Sequence, residues 1–81
     1  MALTTTFYKS AIRRGVYRHY KDKLYRVIGV ARHSETLEEL VVYEALYTNA
    51  LGQLWVRPKT MFLEDVIAGD YRGPRFRHEA R

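Results

Sequence analysis

Between residues 15 and 58 the apolar residues fall into four short runs rich in Val, Ile, Tyr and Trp, each closed by a cluster of turn-forming residues. β-branched and aromatic side chains fit a pleated, half-buried surface, and turns at this spacing fold the chain back on itself. The expected fold class is therefore mainly β, with antiparallel neighbours. Residues 15–20 form the first predicted strand, and Lys21, Asp22 and Lys23 the turn after it. Residues 24–32 are apolar on both alternating faces, as in a central strand, and Gly29 lets that strand bend. Residues 37–47 form a third strand and 53–57 a fourth, which Pro58 ends because it has no N–H to give a ladder. Residues 59–65 are read as one helical or 3₁₀ turn carrying Met61 and Phe62 inward, and 63–67 as a short closing strand. Five short strands with a glycine placed to curl them predict a small five-stranded antiparallel barrel of the SH3-like or Sm-like kind.

A chain of 81 residues holds one core. That core is assigned to residues 15–76, with Trp55, Met61 and Phe62 inside it. Residues 1–14 are an N-terminal extension. Within it Phe7, Tyr8, Ala11 and Ile12 recur at helical spacing, predicting a short amphipathic helix over 6–14 that Thr5 or Thr6 caps and Gly15 ends. Residues 77–81 are expected to be a basic, flexible tail.

The absence of cysteine excludes disulfides, thiolate metal sites and thiol nucleophiles. No apolar run approaches the roughly 20 residues a bilayer requires, and the N-terminus carries no secretory pattern, so a cytoplasmic location is expected. The formal charge of +5 is segmented. Eight Lys or Arg precede His33 against Asp22 alone, four glutamates then follow without a base, and the tail is basic again. Such blocks can neutralise one another across paired strands, so net charge alone is a weak argument for nucleic acid.

Several strings are distinctive: residues 15–21, residues 25–36, Leu40-Val41-Val42-Tyr43, Leu46-Tyr47, Trp55-Val56-Arg57-Pro58, Met61-Phe62 and Pro74-Arg75-Phe76. Together they resemble a small bacterial family of uncharacterised proteins, domain of unknown function 1653. Asp22 departs from the pattern, which has glycine there, so the first turn is a place to look for altered geometry. The resemblance implies a compact domain able to stand alone, and it brings no activity, cofactor or catalytic residue.

His33-Ser34-Glu35 invites a hydrolase reading, but adjacent residues of an extended chain point to opposite faces, whereas a nucleophile and its base must meet. The plainer reading is a polar hairpin connection in which Ser34 and Thr36 bond their own backbone. A third reading has Arg32, His33, Ser34 and Thr36 offering donors to an anion. His19, His33 and Glu35 lack the tight spacing of metal ligands, the glycines are scattered singly, and no carboxylate pair suits acid–base catalysis. Neither catalysis, metal nor cofactor is expected.

What stands out is base mixed with aromatic on the first two strands. The leading expectation is a non-catalytic binding module for single-stranded nucleic acid or another anionic ligand, using Tyr17, His19, Tyr20, Tyr25, Arg26, Arg32, His33, Ser34 and Arg57. Against it stands the reading of the tyrosines as packing and of Arg18 and Arg26 as partners of Glu39 or Glu44. The alternative function is a protein-interaction or self-assembling domain that binds a peptide or its own copies through an edge strand.

Overall fold

The computed structural model describes residues 12–79. The chain order is β1 (Gly15–His19), β2 (Leu24–Arg32), β3 (Glu39–Ala45), β4 (Leu54–Pro58), a single helical turn α1 (Lys59–Phe62), β5 (Asp65–Ala68), β6 (Tyr71–Pro74) and β7 (Phe76–His78). Five strands make one antiparallel sheet in the order β4-β3-β2-β1-β7, and β5 with β6 makes a separate hairpin. The predicted helix over 6–14 falls largely outside the described residues, and its last three, Ile12 to Arg14, are irregular.

Alternation along the strands sorts the side chains. In β3, Val41, Tyr43 and Ala45 are buried, and opposite them Val27, Tyr17 and Tyr25 line the same face. Phe62 from α1 and Phe76 from β7 complete the cluster, with Ile12 and Trp55 packed against it. Arg18, Arg26 and Glu44 lie on the opposite face, where Arg26 meets Glu44 at 3.2 Å. The register slips once, between Val27 and Gly29, so Ile28 is an extra residue. Such a bulge bends a strand and raises its twist, as expected of a bend at Gly29.

The sheet curls without closing. Neighbouring strands lie roughly 4.8 Å apart, so in a flat sheet β7 and β3 would stand about 14 Å apart. Yet the rings of Phe76 and Tyr43 are 5.7 Å apart. The predicted five-stranded barrel is not formed, because β4 and β7 remain separate edges with no ladder between them. Side chains span the gap instead. Phe62 stacks on Phe76 at 4.1 Å, and the Arg57 guanidinium lies over Phe76 at 5.7 Å.

The C-terminal boundary also moves. Arg77 and His78, expected to begin a tail, belong to β7, where Tyr17 pairs with His78 and His19 with Phe76. Arg72, Gly73 and Pro74, read as turn residues, form most of β6. A helical turn is present where 59–65 predicted one but covers only Lys59–Phe62, with Phe62 inward and Met61 exposed, and the strand expected over 63–67 is Asp65–Ala68, which pairs with β6 and closes nothing. Asp22 sits at φ 70° in the β1–β2 turn, a left-handed conformation that glycine adopts without strain. It is secured there by its amide on His19 O at 2.7 Å and its carboxylate on Arg18.

Candidate nucleic-acid interface

The period of two that built the core also divides the expected site. Tyr17 is buried, its hydroxyl donating to Arg13 O at 2.8 Å. Arg26 is on the far face in its ion pair with Glu44. Arg32, His33 and Ser34 are at the β2–β3 connection, away from the aromatic residues of β1. There His33 Nδ1 accepts from the amides of Glu35 and Thr36, Thr36 Oγ1 accepts from Glu38 N, and Arg32 donates to Leu37 O. Thr36 bonds its own backbone as the plainer reading anticipates, whereas Ser34 makes no side-chain hydrogen bond among the described residues and His33 and Arg32 supply the rest.

His19, Tyr20 and Tyr25 do come together, and they recruit two residues that sequence reasoning did not single out as site residues. Tyr71 of β6 stacks on Tyr20 at 5.6 Å with the rings 20° apart. Tyr20 lies 4.6 Å from His19, which meets Tyr25 edge-on at 6.2 Å, and Tyr25 meets Tyr47 at 5.5 Å. These five half-buried rings form a ladder across the end of the sheet at the β1–β2 turn. Lys21 Nζ stands 5.9 Å from the Tyr20 ring and Lys23 Nζ 5.0 Å from that of Tyr47. A cavity of about 110 Å³ opens at the Tyr20–Tyr71 end, lined also by Arg18, His19, Asp22 and Arg77.

The charges around the ladder are unevenly satisfied. Arg18, Arg26, Arg32, Lys59 and Arg75 each reach a carboxylate. Among the described residues, Arg13, Arg14, Lys21, Lys23, Arg57, Arg72 and Arg77 do not. Of these seven only Arg57 is half-buried; its Nε–H donates to Tyr43 Oη at 3.3 Å. Burial, aided by Arg57, Arg75 and Lys21, lowers the His19 pKa to about 4, so its ring is neutral at physiological pH. Its Nδ1 accepts from Lys21 N at 3.1 Å, which leaves Nε2 to carry the proton. Burial also raises the Tyr25 pKa, reinforced by its hydrogen bond to the Tyr47 hydroxyl.

No helix of the described residues is long and apolar enough to cross a membrane, and no group of three or more His, Asp or Glu among them is placed to hold a metal.

In class, then, the chain is a small curled antiparallel sheet with a basic, aromatic end. It belongs to the family described as protein of unknown function DUF1653, whose model matches residues 15–78. A crystal structure of a protein of that family from Bordetella bronchiseptica is similar, with 41% identity and a TM-score of 0.80 over 84% of this chain and 87% of that one. Comparison with curated proteins gives no match.

Proposed function

We propose that the domain is a non-catalytic binding module for single-stranded nucleic acid, and that the ring ladder from Tyr71 to Tyr47 is its binding surface. The ladder carries this reading. Half-buried rings are held in place by packing yet keep a face or edge toward solvent, and unpaired bases stack on such rings whatever their sequence. Lys21, Lys23 and Arg77, exposed and without carboxylate partners among the described residues, lie along it, suited to phosphates. A neutral His19 favours stacking, because it adds a ring at little desolvation cost.

The test is a chemical-shift titration with a five-nucleotide single-stranded RNA over a salt series. The ladder resonances are expected to move at low salt and the affinity to fall as salt rises. Tyr20→Ala, which removes the ring between Tyr71 and His19 and lies outside the core cluster, is expected to weaken binding about tenfold. Shifts confined to the opposite face, or none at low salt, would defeat the proposal.

A second reading rests on a different observation. β4 is an edge strand whose Leu54 and Val56 are 66% and 57% exposed on the open face. Ala45 N donates to Gln53 O, so alternation turns the backbone groups of residues 54 and 56 outward. This edge suits a second copy of the chain, paired antiparallel about Trp55 so that each Leu54 opposes a Val56. Solution mass at high concentration tests it: a dimer that Val56→Lys converts to monomer supports the pairing, and a strict monomer removes it.

A further inference from the structure

Arg57 is the one recessed cation without a carboxylate partner among the described residues. A guanidinium partly removed from water is costly unless an anion or several acceptors meet it, and here the one acceptor among the described residues is the Tyr43 hydroxyl. That bond uses Nε alone. The two terminal nitrogens of the planar fork, suited to grip two oxygens of one anion, have no partner among the described residues.

The position relative to the ladder is specific. Arg57 lies over the Phe76 ring, on which His19 packs at 4.9 Å and Tyr25 at 5.8 Å. Tyr43, its hydrogen-bond partner, touches Tyr25 at 5.3 Å. The guanidinium thus sits behind the middle of the ladder, inside the curl of the sheet. Lys21 and Lys23, by contrast, are exposed at its rim. A strand running along the rings keeps its internal diesters at that rim. A chain end can turn inward.

We infer that Arg57 is a receptor for the terminal phosphate of the single strand bound on the ladder. This rests on the ladder reading, and it names the end of the ligand as the determinant of specificity. A phosphomonoester carries nearly two negative charges and three free oxygens near neutral pH, against one charge on a backbone diester, so it answers the unmet fork better than any internal phosphate.

The experiment compares one five-nucleotide RNA in three forms, with a 5′-phosphate, a 3′-phosphate or neither, against the wild-type chain, Arg57→Gln and Arg57→Lys. For the wild type, at least one phosphorylated form is expected to bind about tenfold tighter than the unphosphorylated one. Arg57→Gln should abolish that gain while leaving the unphosphorylated RNA within about twofold of wild type. Arg57→Lys, which keeps the charge but not the fork, should retain only part of the gain. Equal wild-type binding of all three forms overturns the inference and leaves the ladder standing, as does an equal loss for all three in both variants. Binding of none by the wild type overturns both.

Discussion

Phe76→Ala is expected to cost about 3–5 kcal/mol, most of the stability available to a domain of this size. Phe76 is buried, and its ring touches Phe62, Tyr43, Tyr25 and His19 while supporting Arg57. The loss exceeds that of a single cavity, because the ring lies on the short strand that joins β1 at one edge of the sheet. Without it neither the stack on Phe62 nor the closure by side chains survives. Urea unfolding followed by circular dichroism measures the effect. A loss below about 1 kcal/mol would mean that the two edges are held together by something other than this ring.

Acid is the second large effect. The His19 pKa is lowered to about 4, from an ordinary value of 6.5. Above pH 6.5 the ring is neutral in both the folded and the unfolded chain, and the contribution to stability is fully present. Between pH 6.5 and 4 the unfolded chain takes up a proton that the folded one refuses, so stability falls as pH falls. Below about pH 4 both states are protonated and this contribution is gone. His19 is only half-buried, so screening reduces the loss to about 2 kcal/mol. The groups facing it are Arg57, Arg75 and Lys21, with Arg75 itself paired to Glu64. Thermal melts of wild type and His19→Gln at half-unit pH steps check this. The wild type should lose stability steeply from pH 6.5 to 4 and the variant much less, whereas parallel curves would place the acid sensitivity in the carboxylates.

The strands were legible where their cause is local. Val, Ile and Tyr at alternating positions identify β1 to β4 to within two residues at each end, though β4 runs through Pro58 where a stop before it was expected, and the turn residues that end at Gly52 belong to the segment itself. β6 and β7 were not legible, since Arg72-Gly73-Pro74 has turn composition and becomes strand only because β5 lies beside it. Likewise His78 is ordered by pairing with Tyr17, a partner about sixty residues away that no window of sequence displays. Closure into a barrel was overread for the same reason, because whether two edges meet through backbone or through side chains depends on both at once.

The candidate site divides along similar lines. His19, Tyr20 and Tyr25 announce themselves as rings among cations on adjacent strands. Arg26 carries the same composition, but alternation places it on the opposite face with Glu44. Tyr47 and Tyr71 join the ladder through contacts made across the fold. The available signal was seven tyrosines in 81 residues, more than so small a core can bury.

The pairing of β1 with β7 has a mechanical side. The strands run antiparallel, with Gly15 and His78 at the same end and the amide of Glu79 bonded to Val16 O. Tension applied through the two ends therefore loads that seam as a zipper, one backbone bond at a time, and not in shear across the whole ladder. The first strand to peel is the one that carries Phe76. An unfolding motor that grips the C-terminal side needs to strip only three residues before the core opens.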